Sequence, residues 1–155
     1  MKPRRGDTVA HSFASNHIHL VFSTKDRRDT IAREWQPRMW AYIAGICKNH
    51  EMICLAVGGT QNHIHILFQL PPKLALAKAA QLLKANSSKW MDEQGIDFAW
   101  QEGYGAFSVS ASNLDQVTRY IQDQEVHHRE ITFEDEFRAL LRKHGVEYEA
   151  KYAFG

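Results

Sequence analysis

A chain of 155 residues, 44% hydrophobic and 24% charged, is long enough for one real core and has the composition of an ordinary globular protein. No apolar run approaches the ~20 residues of a membrane-spanning helix. The basic start at residues 1–5 leads into no apolar signal core. One domain over residues 1–155, cytoplasmic and off the membrane, is therefore expected. A net charge of +1 excludes a protein that coats nucleic acid by bulk electrostatics, but not one that grips it with a local patch. Cys47 and Cys54 make neither a disulfide framework nor a zinc site, and both read as small buried apolar residues.

The first periodic segment, residues 17–24, reads as a strand with Ile18, Leu20 and Phe22 on one face and His17, His19 and Val21 on the other. Lys25, Arg27 and Arg28 follow it as a basic cluster. Residues 35–49 read as a helix whose apolar stripe is Met39, Ile43 and Ile46. Two strands, residues 52–57 and 62–69, form a hairpin if Gly58-Gly59 supplies the turn. Pro71-Pro72 ends the hairpin and suits the start of a second helix, which carries Leu74, Leu82 and Leu83 and runs through Trp90 and Met91 to Gly95. A glycine-punctuated loop through Gly103 and Gly105 leads to a fourth strand at residues 106–109. Ser112 or Asn113 is placed to cap a third helix bearing Leu114, Val117, Tyr120, Ile121 and Gln124. A last helix covers about residues 133–143 and stops near Gly145, leaving a surface-bound or extended tail.

This order is that of an α+β, ferredoxin-like βαββαβ antiparallel sheet with helices on one face, plus C-terminal helices. Its first and third strands are central neighbours, which would set the two His-Ile-His segments side by side.

The nine histidines are the most unusual feature of the composition. His63 and His65, two apart on a strand, point to one face and could share a divalent cation through neutral nitrogens. Read alone, the pair is equally a polar strand face that carries histidine. Tyr120 and Gln124 are four apart on a helix and therefore neighbours. A glutamine oxygen can be a hard ligand and a phenol a nucleophile, though a tyrosine on an amphipathic helix also suits a core or rim. His127 and His128 suit a helix C-terminal turn, or one of them a ligand or phosphate contact. Lys73, Lys78, Lys84 and Lys89 are spaced along the second helix, as a solvated face or a basic patch.

In order, the chain carries His19-Leu20-Val21-Phe22 with Lys25 and Arg28, then Gln61-Asn62-His63-Ile64-His65, then Leu83-Lys84 to Ser87-Ser88. Trp100 follows with Gly103-Tyr104-Gly105-Ala106-Phe107-Ser108-Val109, and finally Tyr120-Ile121 with Gln124. In these pieces, from about His11 to Gln124, the chain resembles the bacterial single-tyrosine HUH transposases, including insertion-sequence enzymes and repeat-associated tyrosine transposases. The resemblance implies that His63, His65 and Gln124 hold Mg²⁺ or Mn²⁺ and that Tyr120 is the nucleophile. Tyr120 would attack a phosphodiester of single-stranded DNA, leaving a 5′-phosphotyrosine and a free 3′-hydroxyl. It further implies hairpin or folded DNA ends as partner and a homodimer. His19, His127 and His128 become possible supporting groups around the cation, and Lys25, Arg27, Arg28, Lys84 and Lys89 candidate phosphate contacts. Gly103 and Gly105, ahead of the tyrosine helix, would permit flexibility or a tight connection.

Three other readings compete. A histidine-triad nucleotide phosphoesterase would need a third histidine where Leu67 stands. A ferredoxin-like RNA-binding module would expose paired aromatics on the sheet, where this chain has histidines. A domesticated protein that binds DNA hairpins without cutting them would not need Tyr120, His63, His65 and Gln124 together.

Overall fold

The computed structural model describes residues 13–154; the basic start and His11 lie outside them. The elements in order are β1 (His17–Ser23), α1 (Gln36–Asn49), β2 (Ile53–Gly59), β3 (His63–Gln69), α2 (Leu76–Glu93), β4 (Gly105–Val109), α3 (Leu114–Gln122), a short α4 (Gln124–His127) and α5 (Phe133–Lys143). The four strands form one sheet in the order β2-β3-β1-β4, with every neighbouring pair antiparallel. This is the expected ferredoxin-like sheet, with β1 beside β3.

The sheet is covered on both faces. One face, through Leu20, Phe22, Ile64, Ile66 and Phe68, packs on Met39, Ile43 and Ile46 of α1 and Ala79, Ala80, Leu83 and Met91 of α2. The other face carries two smaller apolar clusters. Ala56 and Leu67 pack on Ile121 of α3. Val21 and Phe107 pack on Phe133, Phe137 and Leu141 of α5. The C-terminal helices thus close the face that bears the histidines, and β1 and β3 are buried on both sides. A stacking surface for RNA bases is absent there, because His19, His63 and His65 are buried.

Several local expectations are corrected by the geometry. Gly58 and Gly59 end β2 rather than forming the turn, and neither has a positive φ. A Cβ on Gly58 would lie 2.3 Å from the Ile121 carbonyl oxygen, so this glycine lets α3 approach the sheet. At Gly105 a Cβ would lie 2.6 Å from Phe137, so the residue makes room for α5 rather than giving flexibility. The prolines precede α2, which begins at Leu76. Neither Ser112 nor Asn113 caps α3; a 3-10 turn over Ala111–Asn113 leads into it. Gly95 and Gly145 do follow α2 and α5 in the left-handed region. Cys47 is buried and Cys54 only half-buried. In the tail, Phe154 packs on the apolar cluster of α5. Among the described residues no helix is long and apolar enough to cross a membrane.

Candidate metal and nucleophile site

Between the two apolar clusters of the histidine face lies a buried polar one. His63 and His65 project into it from β3 because side chains two apart share a face. His19 enters from β1, which pairs with β3 so that Val21 faces His65. The register places His19 diagonally across from His65, and His19 Nε2 lies 2.8 Å from His65 Nδ1. His17, further along β1, is only half-buried and outside the cluster.

Tyr120 and Gln124 do not share one continuous helix. The chain breaks at Asp123, and Gln124 opens α4. They remain neighbours, because Gln124 Nε2 donates to the Tyr120 carbonyl at 3.3 Å. That bond turns the amide so that Oε1 faces the site, 2.9 Å from His63 Nε2. On its other side His63 Nδ1 is held by Asn62 Oδ1 at 2.8 Å and Thr60 Oγ1 at 2.9 Å.

The centre of the cluster is Glu136, from α5, which sequence reasoning missed. Its Oε1 lies 2.9 Å from His65 Nε2, 3.1 Å from His128 Nε2 and 3.5 Å from His63 Nε2. Its Oε2 accepts the Tyr120 hydroxyl and lies 3.4 Å from His127 Nε2. In the sequence Glu136 is one of three acidic residues in the first turn of a helix, where a carboxylate ordinarily serves the helix dipole. The one available signal was its place on the apolar face, three residues after Phe133 and one before Phe137.

Electrostatics follow from burial. Desolvation, followed by neighbouring His65, lowers the His63 pKa to about 3, so the imidazole is neutral and free to ligate at neutral pH. Burial and His65 likewise hold His19 well below its usual value. Burial pushes Glu136 up, but His65, then hydrogen bonding from His128 and His65, outweigh it and keep the carboxyl well below its usual range. Burial, then the charge and hydrogen bond of Glu136, raise the Tyr120 phenol above its ordinary value.

The donor set fits a divalent cation. One ligand atom from each of His63, His65, His128 and Glu136 falls within a span of 4.8 Å. His128 Nδ1 lies 2.8 Å from the Ile131 carbonyl oxygen, which can only accept. That places a proton on Nδ1 and turns Nε2 toward Glu136. Nε2 is buried and lies 3.1 Å from that carboxylate. An imidazole nitrogen and a carboxylate oxygen this close in a dry site call for a proton or a cation between them. His63 Nε2 and Gln124 Oε1 are spaced 2.9 Å apart. Ligands at right angles around an octahedral cation stand roughly 3 Å apart.

The basic candidates are distributed differently. Lys25, Arg28 and Lys89 are exposed. Arg28 pairs loosely with Asp26 at 3.7 Å. Arg27 donates to the Phe154 carbonyl at 3.0 Å and lies 3.8 Å from Glu134. Lys84 Nζ donates to the carbonyls of Gln101, Glu102 and Gly103 at 2.7, 2.8 and 3.0 Å, which ties down the loop before β4. Leu67, where a histidine triad would need its third imidazole, lies in the apolar cluster under α3.

A ferredoxin-like sheet with a paired-histidine strand, a half-buried tyrosine and a donor set that fits a divalent cation is the arrangement expected of the HUH class. The family model for IS200-like transposases matches residues 12–124, and the chain belongs to that family. Transposases of insertion sequence element IS200 from Salmonella typhimurium strain LT2 and from Salmonella typhi are each 26% identical over 125 residues, covering 76% of this chain and 82% of theirs. A candidate transposase of Deinococcus radiodurans R1 has a similar fold, with a TM-score of 0.61 at 18% identity, over 76% of this chain and 97% of that one. A REP-associated tyrosine transposase bound to a REP hairpin gives a TM-score of 0.59 at 13% identity, over 79% of this chain and 74% of that one. The family match stops at Gln124, so α5 and Glu136 lie beyond it.

Proposed function

We propose that this chain is a metal-dependent transposase that cuts and rejoins single-stranded DNA through a 5′-phosphotyrosine on Tyr120. The observation that carries this reading is the shared carboxylate: the Tyr120 hydroxyl and the histidine cluster meet on the two oxygens of Glu136.

His63, His65 and Gln124 hold the cation in this reading, with His128 and Glu136 beside them. Mn²⁺ suits this mixed nitrogen and oxygen set better than Mg²⁺, which favours oxygen. When bound, the cation polarises a phosphoryl oxygen and offsets charge at the scissile phosphate. The chain supplies the rest. His19 fixes the ring of His65 through Nδ1, and Asn62 and Thr60 fix His63. The Tyr120 oxygen attacks phosphorus, the bond to the 3′ oxygen breaks, and the phenol proton is balanced by the one the 3′-hydroxyl gains. Attack by a DNA 3′-hydroxyl on the phosphotyrosine reverses these steps without ATP, because the covalent link stores the bond energy. The groups named here all come from one chain, and the homodimer remains part of this proposal.

The DNA partner is a hairpin-like end, as in the REP hairpin complex of a similar fold. Lys25, Arg28 and Lys89 are exposed and would meet its phosphates. Arg27 and Lys84 would first have to leave the carbonyls they hold.

The test is incubation with labelled single-stranded DNA from the flanks of the gene, with and without Mn²⁺, resolved on denaturing gels. A covalent protein–DNA adduct is expected, lost to background in Tyr120→Phe and in EDTA. An adduct that persists in Tyr120→Phe removes Tyr120 as nucleophile. Cleavage with a 3′-phosphate and no adduct favours a hydrolase. DNA retention with neither product favours a hairpin-binding protein without chemistry.

A further inference from the structure

We infer that Glu136 is a positioning residue that ties the nucleophile to the cation site, with one carboxylate oxygen for each. The inference rests on the proposed role of Tyr120 and adds a group that lies outside the family match.

Three observations converge on it. Glu136 is buried with its two oxygens in different company: Oε1 faces the imidazoles of His63, His65 and His128, and Oε2 takes the Tyr120 hydroxyl. A carboxylate fully removed from water is costly unless each oxygen is engaged, so a buried Glu is found where several partners meet. The helix that delivers it is built to hold one position. Thr132 caps α5 by accepting from the Asp135 amide at 3.2 Å. Phe133 and Phe137, stacked on one another, then seat the helix against Val21 and Phe107, and Gly105 is cleared of a Cβ where Phe137 sits. Finally, the Tyr120 hydroxyl donates to Glu136 Oε2, with the Gln124 side chain also beside the phenol. Glu136 is thus the group that touches both the phenol oxygen and the imidazoles of His65 and His128.

The consequence is a mechanical link. His63, His65 and His128 would hold the cation on the Oε1 side of the carboxylate, and Oε2 would hold the Tyr120 oxygen on the other. One carboxylate would thus fix where the nucleophile stands relative to the imidazoles that would hold the cation, as oriented attack on a phosphate requires. Glutamine at this position would keep the shape but lose the anionic oxygen that faces the cation.

The experiment measures Mn²⁺ affinity by calorimetry and adduct formation at saturating Mn²⁺ in the wild type and in Glu136→Gln, with thermal melts to verify folding. Tyr120→Phe and the double variant complete a cycle on Mn²⁺ affinity alone. Glu136→Gln should weaken Mn²⁺ binding at least tenfold and, with the site saturated, still slow adduct formation at least tenfold through kcat rather than KM. Tyr120→Phe should shift Mn²⁺ affinity about two- to threefold in the wild-type background and not at all in Glu136→Gln, since the phenol acts through that carboxylate. If Glu136→Gln does not fold, Glu136→Asp, which keeps the charge but withdraws it by one methylene, should show the same pair of defects. Unchanged Mn²⁺ affinity overturns the inference. So does full recovery of the rate at saturating Mn²⁺, which would make Glu136 a ligand with no hold on Tyr120. Both outcomes are read against a wild type that forms the adduct. A wild type that binds Mn²⁺ but forms no adduct overturns the role of Tyr120 itself, and this link with it.

Discussion

The two faces of the sheet are built from the same strands and obey different rules. On β3, Ile64, Ile66 and Phe68 enter a dry core under α1 and α2, while His63 and His65, one position away, enter a polar cluster under α3–α5. The dry face is stable by transfer from water and packing, with no conditions attached. The polar face is stable only while every buried donor and acceptor has its partner, so its stability depends on pH and on a cation. Removing a core side chain should therefore cost the most and be indifferent to solution conditions. Phe22→Ala, on the dry face, should lose about 3–5 kcal/mol, read from urea denaturation. The loss should be equal with Mn²⁺ or EDTA; a loss that varies with Mn²⁺ would mean that the two faces are not separate.

The cation sharpens the contrast from the other side. A ligand that binds only the folded chain stabilises it by about 2.7 kcal/mol at a hundred times its Kd. For a domain of this size that is roughly 5–10 °C in Tm. Saturating Mn²⁺ should raise the Tm of the wild type and of Phe22→Ala alike, and leave His63→Ala unmoved. An equal rise in His63→Ala would place the cation somewhere else.

Acid should act on the polar face alone. The unfolded His63 imidazole titrates near its usual 6.5, whereas burial keeps the folded one neutral down to about 3. Between those values the unfolded chain binds the extra proton, so stability falls as pH drops. One such group changes stability by about 1.4 kcal/mol per pH unit, or about 2 kcal/mol from pH 6.5 to 5. His19 shifts in the same direction. Glu136, lowered, adds its own loss only below its ordinary carboxyl range. Urea midpoints in EDTA at pH 7 and pH 5 check this: Phe22→Ala should show the wild-type drop and His63→Asn a smaller one.

The same division decides what the sequence could reveal. The dry face is legible, because Ile18, Leu20 and Phe22 alternate and Met39, Ile43 and Ile46 keep helical period; these patterns place β1 and α1, and the βαββαβ succession of elements gives the sheet order. His63 and His65 are legible as a pair sharing a face, and Tyr120 with Gln124 as neighbours. What joins the two pairs is tertiary. No local pattern shows that α5 folds back over the histidine face, because Phe133, Phe137 and Leu141 would bury equally well against any surface. Glu136 is hidden for the same reason: it looks like a first-turn acid until the helix is docked. Lys84 misleads in the opposite sense, since its spacing suits an exposed basic patch while its ammonium is spent on three carbonyls.

The glycines give the finest test of how the polar face is assembled. Gly58 in β2 and Gly45 in α1 each lie within a regular element of the fold, yet a Cβ at Gly58 would meet the Ile121 carbonyl at 2.3 Å and one at Gly45 would meet nothing within 4 Å. Gly58→Ala must push α3 off β2, which should cost about 1–3 kcal/mol as overpacking. It should also slow adduct formation, because Tyr120 moves with the helix. Gly45 lies on the exposed side of α1, on the dry face. There alanine only removes backbone freedom from the unfolded chain, so Gly45→Ala should gain roughly 0.5–1 kcal/mol. Adduct formation should be untouched. If Gly58→Ala lost stability but kept its rate, Tyr120 would be held by Glu136 rather than by the seating of α3. That result would move the origin of the site's geometry from the sheet to α5.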